Sequence, residues 1–173
     1  MTKAIIVMGV SGAGKTSIAD LMAKRLGCKF VEGDQLHPAS NVKKMADGTP
    51  LTDEDRWPWL EIIGNELKAS RSAGEDIIVT CSALKKIYRE KLRSAGGEPL
   101  YIVFLKGSPE LLASRMGARK GHFMPASLLQ SQLATLESPE GETNVVTVDI
   151  DATVPEIVED AIARLEKLWR ENI

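Results

Sequence analysis

Eight consecutive residues near the amino terminus, Gly9-Val10-Ser11-Gly12-Ala13-Gly14-Lys15-Thr16, satisfy the spacing GxxxxGK[ST] in full. Each residue type answers a need of a polyphosphate. Glycines permit backbone torsions that turn successive N–H groups into one concavity, and a helix beginning at the last glycine adds the positive end of its dipole. Lys15 is long enough to reach the terminal phosphates, and the Thr16 hydroxyl can ligate magnesium. The segment therefore reads as a nucleoside triphosphate site made by Gly9, Ser11, Gly12, Ala13, Gly14, Lys15, Thr16 and Ser17. The competing reading, a glycine-rich turn without function, is weakened by the apolar run before it and the amphipathic pattern after it.

The use made of the triphosphate has to come from other residues. A GTPase carries DxxG and NKxD elements, and neither string occurs. A second apolar run ends in Glu32-Gly33-Asp34, and open α/β sheets hold ligands beyond the carboxyl ends of their strands. Asp34 is thus placed to act as a base toward an acceptor hydroxyl, or to hold magnesium through water, with Glu32 as the alternative. Downstream lies a dense polar cluster: His37, Asn41, Lys43, Lys44, then Asp53, Glu54, Asp55 and Arg56. Such a mixture of donors, acceptors and cations suits a small polyhydroxylated anion, and Arg56 is the cation expected to meet it. Asp53 and Asp55 are equally well explained as caps of a helix starting near Trp57, with Pro58 in its first turn.

Two further groups of cations follow. Lys85, Lys86, Arg89, Lys91 and Arg93 share one helical segment; with a single aromatic, Tyr88, and a net-acidic remainder, the group reads as a solvated face rather than an RNA surface. Lys85, one turn past a strand end, is its member best placed for the site. Arg115 and Arg119 stand four apart on one helix face, and with Lys120 and His122 they gather around Gly117 and Gly121. Two guanidiniums on a hinged segment suit a lid that closes over a transferring phosphoryl group and neutralises its charge. His37 and His122 are the only histidines; lacking a close Cys or second His, they make a poor zinc site.

To position these residues the chain must alternate strands with helices. Ala4–Met8 is a continuous apolar run, the pattern of a strand covered on both faces. Ile18, Leu21, Met22 and Leu26 then recur at helical spacing and stop at Gly27. Further strands are predicted over Cys28–Val31, Ile77–Cys81, Tyr101–Leu105 and Val145–Ile150. Between them lie helical patterns carried by Leu60, Ile63 and Leu67, by Leu84, Ile87, Tyr88 and Leu92, and by Leu111, Leu112 and Met116. The last of these opens at Ser108-Pro109. A final helix carries Ile157, Val158, Ala161, Ile162, Leu165 and Trp169, opened by a Thr153–Glu156 capping box. The alternation argues for a parallel sheet wound on both faces. Gly33–Trp59 and Gly117–Thr143 fit the scheme badly, and long polar excursions of this kind tend to be functional loops or lids.

Composition narrows the classes further. A chain of 173 residues with 43% hydrophobic and 27% charged residues fits one globular domain and disfavours disorder or coiled coil. With 22 Lys and Arg against 24 Asp and Glu, the net charge of -2 offers no general attraction to nucleic acid or anionic lipid. No apolar stretch approaches the ~20 residues of a membrane span. Lys3 followed by Ala4–Met8 imitates a short signal peptide, but glycines and Lys15 follow at once, so it reads as the first strand of a cytoplasmic protein. Cys28 and Cys81 form no CxxC motif; they read as reduced strand residues, with one bridge between them left open by sequence.

Taken in order, GVSGAGKT, GDQLHPASNVKKMADGTPLTDEDRWPWL, CSALKKIYREKLR and RKGHFMPASLLQSQLATLE closely resemble the gluconokinase family, bacterial-type gluconate kinases of the P-loop kinase class. The resemblance runs over nearly the whole chain, and its second block is far more specific than the phosphate loop. It implies transfer of the γ-phosphoryl of ATP to the 6-hydroxyl of D-gluconate, with magnesium, by an enzyme that is usually a homodimer. It further implies Asp34 near the acceptor hydroxyl, His37, Arg56 and Lys85 at the gluconate, and Arg115, Arg119 and His122 in a lid over about residues 117–143. The departures are small: Ala13 stands where the family often has Ser, and Asp149–Glu156 is not distinctive. The implied fold is a P-loop kinase fold: a five-stranded parallel sheet with helices on both faces and a lid segment.

Overall fold

The computed structural model of the protein describes residues 2–117 and 126–172. Five parallel strands, β1 (Ala4–Met8), β2 (Lys29–Glu32), β3 (Ile77–Thr80), β4 (Tyr101–Lys106) and β5 (Val145–Asp149), form one sheet in the order β2-β3-β1-β4-β5. β1 lies at the centre and pairs Ile6 with Val79 on one side and with Ile102 on the other. All five residues of β1 are buried, as its unbroken apolar run requires of a central strand.

Helices cover both faces: α1 (Lys15–Leu26), α2 (Ala39–Ala46), α3 (Asp53–Ala73), α4 (Lys86–Gly96), α5 (Pro109–Gly117), α6 (Ala126–Thr135) and α7 (Val154–Glu171). The strand period of two divides the core. Ile5 and Val7 pack toward a cluster holding Ile18, Met22, Leu112, Leu129, Ile157 and Leu165. Ala4, Ile6 and Met8 point to the opposite cluster, with Trp59, Leu60, Ile63, Tyr88 and Leu92.

Several boundaries follow the local chemistry anticipated for them. Gly27 ends α1 in the left-handed conformation, and Thr153 with Glu156 opens α7 as a capping box. The Ser108 hydroxyl accepts the Leu111 N–H at the start of α5. Four of the strands are displaced by a residue at an end, and one helix boundary differs by more. α3 begins at Asp53, four residues before Trp57, because Thr52 is the cap: its hydroxyl accepts the Asp55 N–H, and the Asp55 carboxylate accepts the Thr52 N–H. Pro58 consequently falls inside the helix rather than in its first turn. The excursion Gly33–Trp59 holds a 3₁₀ turn (Gly33–Leu36), α2 and the first turns of α3. The stretch 126–143 is α6 and a strap packed on the body, with Leu129 buried and Leu133 and Leu136 against the core. The rest of the expected lid, 118–125, lies outside the described residues.

Cys28 and Cys81 are both free thiols, which excludes a bridge between them. Burial raises the Cys28 thiol to about 11 and the Cys81 thiol to about 12, so both are unreactive as nucleophiles.

Candidate active site

The carboxyl ends of β1, β2 and β3 lie side by side, and the loops leaving them carry the chemistry. A shallow cleft of about 540 Å³, lined by Thr2, Gly27, Lys29, Gly74, Glu75 and Asp76, opens at the opposite, amino ends of the strands and holds none of the residues argued above.

The phosphate loop leaves β1. Gly12 and Gly14 have φ of 87° and 89°, torsions that side-chain-bearing residues rarely adopt, and Gly14 is the N-cap of α1. The first turn of α1 contains Lys15, Thr16 and Ser17 and no acid, leaving the helix dipole free to act on an anion. Lys15 Nζ bridges the loop, donating to Gly9 O at 2.9 Å and Val10 O at 3.3 Å. The glycine cradle, lysine and exposed hydroxyls fit a nucleoside triphosphate.

β2 delivers the acid. Asp34 is exposed in the turn that follows, and its carboxylate has no partner among the described residues. Glu32, the alternative, is committed: the Thr80 hydroxyl donates to it at 2.5 Å and accepts the Gly33 N–H at 3.1 Å. Gly33 itself is held on its other side by Trp59 Nε1, which donates to its carbonyl at 2.8 Å. His37 stacks on Trp59 with centroids 4.0 Å apart. Asn41, nearly fully buried, donates its amide to His37 Nδ1 at 3.2 Å and to Asp55 O at 2.9 Å. An amide nitrogen can only donate, so Nδ1 is the unprotonated acceptor and the neutral ring presents Nε2–H. Burial lowers the His37 pKa below the ordinary value; Asp34 opposes this and Arg56 adds to it.

Arg56, Asp53, Lys85 and Tyr88 form one group between α3 and α4. The Arg56 guanidinium donates through Nη1 to Leu51 O at 2.8 Å and to the Tyr88 hydroxyl at 3.3 Å. Its Nε and Nη2 have no partner among the described residues, which leaves the side of the fork that grips a carboxylate in bidentate fashion open. Lys85, by contrast, pairs with Asp53 at 3.1 Å, and the Tyr88 hydroxyl also donates to Asp53. Hydrogen bonds from Tyr88 and Lys85 hold Asp53 below the usual carboxylate range. Asp53 is therefore an ion-pair partner inside α3 rather than its cap, whereas Asp55 serves the cap and pairs with Lys44 at 2.8 Å. Cys81, the residue after β3, is buried, and burial is the main cause of its raised pKa, with smaller opposing effects from the charges of Asp34, Lys15 and Arg56.

Two residues do something other than their sequence suggested. Arg89 is fully buried, not part of a solvated face: it donates to Ala83 O at 2.8 Å and Leu84 O at 3.2 Å and pairs with Glu142 at 2.7 Å. It thereby fixes the β3–α4 loop that displays Ser82 and Lys85. Arg115 donates to the carbonyls of Ile150 and Ala152, which ties α5 to the segment after β5. Arg119, Lys120 and His122 lie outside the described residues. Tyr88, Arg89 and Gln132 were not singled out by sequence; the buried i, i+4 stripe of Tyr88 and Leu92 was the one signal pointing to Tyr88.

Sheet order, phosphate loop and acceptor-side acid define a P-loop phosphotransferase of the small-molecule kinase class. A family model of the AAA domain matches residues 5–139. A gluconokinase from Gluconobacter oxydans (strain 621H) is 48% identical over 162 residues, covering 94% of this chain and 90% of the relative. The crystal structure of a gluconokinase from Sinorhizobium meliloti 1021 superposes with a TM-score of 0.88 at 54% identity, covering 96% and 93% of the two chains. The chain belongs to the gluconokinase family. Shikimate kinase from Aquifex aeolicus, at 14% identity and a TM-score of 0.60, covering 95% of this chain and 96% of its own, shares the fold alone.

Proposed function

We propose that the protein transfers the γ-phosphoryl of ATP to the 6-hydroxyl of D-gluconate, giving 6-phospho-D-gluconate and ADP. The observation that carries this reading is Arg56, anchored through Nη1 with its Nε and Nη2 left for a carboxylate at the site that Asp34 borders. A neutral sugar would leave that charge unanswered. Identity with gluconokinases over nearly the full chain supports the same substrate.

In this mechanism the loop amides, Lys15, Thr16 and Ser17 hold the triphosphate. His37, through Nε2–H, Arg56, Lys85 and His122 hold gluconate. Asp34 accepts the proton of the 6-hydroxyl as that oxygen bonds to the γ-phosphorus and the bond to the β–γ bridging oxygen breaks, releasing ADP. Arg119, with Arg115 as the equal-ranked alternative, neutralises the transferring group, and catalysis is mainly alignment and charge neutralisation. No cluster of three or more His, Cys, Asp or Glu among the described residues forms a metal cage. Thr16, with Asp34 through water as the alternative to its role as base, would suit magnesium, which takes phosphate oxygens and water with one or two protein oxygens. Bound there, the ion neutralises charge on the phosphate oxygens.

The proposal extends to one kinase domain over residues 1–173 with a lid segment over about 117–143, working as a homodimer in the cytoplasm. Two free thiols fit a reducing compartment, and no helix among the described residues is long and apolar enough to cross a membrane. The net charge of -2 gives no reason to expect nucleic acid as a partner. A kinase for another small polar metabolite such as shikimate is the competing reading. Coupled ADP release over gluconate, glucose and shikimate decides. Gluconate should exceed glucose in kcat/KM by about 10³-fold or more, because a site with an unmatched cation rejects the ligand lacking its anion. Comparable efficiency for glucose removes Arg56 from the carboxylate, and efficient turnover of shikimate with none of gluconate overturns the substrate.

A further inference from the structure

α6 returns one side chain to the phosphate loop. Gln132, 121 positions away in sequence and half-buried, accepts the Ser11 N–H through Oε1 at 2.7 Å. A backbone N–H can only donate, so the amide oxygen must face Ser11 and the orientation of the side-chain amide is settled by chemistry. The fixed geometry of an amide puts Nε2 about 2.2 Å from Oε1, and so within about 5 Å of the Ser11 nitrogen. The two Nε2 donors have no partner among the described residues.

Lys15 tells which end of the loop this is. Its ammonium, the group that reaches the β- and γ-phosphates, lies against Gly9 O and Val10 O, immediately before Ser11. The Gln132 amide therefore stands at the terminal-phosphate end of the loop, away from the α1 end, where the inner phosphates lie. The helix that carries it is also held. Leu129 is buried, Glu137 N–H donates to Leu84 O at 2.8 Å, and a Glu137 carboxylate oxygen accepts the Lys86 N–H at 2.8 Å. One rigid segment thus spans from the phosphate loop to the loop displaying Lys85, and a donor mounted on it is preorganised.

We propose that Gln132 is a further catalytic residue: Oε1 fixes the Ser11 amide, and Nε2–H donates a hydrogen bond to an oxygen of the γ-phosphoryl as charge is redistributed during transfer. No proton changes hands. The proposal rests on the kinase reading above and deepens it.

Two variants separate the donor from the acceptor. Gln132→Met keeps the length and removes both functions. Gln132→Glu keeps an oxygen for Ser11 but loses the donor and places a negative charge toward the phosphates. Losing one preorganised donor typically costs about 10² to 10³ in kcat, so Gln132→Met should fall by about 10²-fold while KM for the acceptor moves by less than about threefold. Gln132→Glu should fall at least as far, with its melting temperature at the parent's value. Recovery of kcat in Gln132→Glu to within about threefold of the parent would show that only the hold on Ser11 matters, and unchanged kcat in Gln132→Met would remove Gln132 from the chemistry. The contrast is read on whichever acceptor the parent phosphorylates. A parent inactive on gluconate refutes the substrate reading without touching this one.

Discussion

Gly33 is the position where backbone geometry bears most directly on catalysis, and Gly33→Ala tests it. A Cβ built on Gly33 would sit 1.9 Å from the carbonyl oxygen of Thr80, well inside the 3.0 Å that real Cβ contacts essentially never cross. The obstacle is strand backbone rather than a side chain able to swing aside. Some element must retreat by roughly 1 Å, and Gly33 cannot do so freely because Thr80 Oγ1 holds its N–H and Trp59 Nε1 its carbonyl. Overpacking of this kind costs about 1–3 kcal/mol. In a chain of this length that lowers the melting temperature by about 2–12 °C. The kinetic effect should be larger than the thermal one suggests, since Asp34, the proposed base, follows directly and a displacement near 1 Å of a catalytic group costs about 10²-fold in rate. Mg-ATP affinity should stay at the parent's level, because the β1 loop is untouched. Steady-state kinetics with gluconate, calorimetric titration with Mg-ATP and a thermal melt read all three. Turnover within about threefold of the parent would refute the argument that this turn sets the position of Asp34.

Asp34→Asn keeps shape but removes the carboxylate, and kcat should fall by about 10² to 10⁴ with Mg-ATP affinity retained; loss of that affinity in calorimetry would move Asp34 to the magnesium shell. The His37 pKa lies below the ordinary 6.5, and protonation puts an N–H on Nδ1 against the Asn41 amide donor, breaking the bond that orients the ring, so kcat/KM for gluconate should drop as pH falls through that depressed value. The same acid limb in His37→Gln, which does not titrate, would assign the titration elsewhere. Burial raises the Glu142 pKa, but hydrogen bonds from Arg89 and then Arg93 outweigh it and hold the group below its usual value. Its stabilisation is therefore full above the unfolded value and lost as pH falls through the folded one. Glu142→Gln leaves buried Arg89 without its counter-ion, a loss of about 3–5 kcal/mol or about 6–20 °C in melting temperature; a parent-like melt would show that the carbonyls alone satisfy Arg89.

Sheet and phosphate loop were legible because their signals are local. An apolar run of strand length, glycines at fixed offsets and a helix stop at Gly27 each state their structure within a few residues. The start of α3 was also written locally, in Thr52 and Asp55, but Pro58 drew the boundary toward itself because proline favours a first turn. Asp53 was left undecided between cap and site residue for a different reason. A carboxylate in a first helical turn serves the dipole wherever it stands, and its partners Lys85 and Tyr88 lie 32 and 35 positions away. Arg89 shows the same limit: charge argued for solvent, and Glu142 lies 53 positions away, across a strand and two helices.

The long-range contacts share one property: they join the loops that must act together. The Arg89–Glu142 pair and the backbone and carboxylate bonds of Glu137 fix the β3–α4 loop. Glu32, Thr80 and Trp59 fix the turn holding Asp34, and Gln132 fixes the phosphate loop. Each loop leaves a different strand, so sheet geometry alone sets them only to within the freedom of a loop. Transfer needs reacting atoms held to a fraction of an ångström. The polar cross-links supply that precision, and they tie it to the 126–142 strap. A shift of α6 would therefore act on Ser11 through Gln132 and on the loop displaying Lys85 through Glu137, moving both loops with one helix.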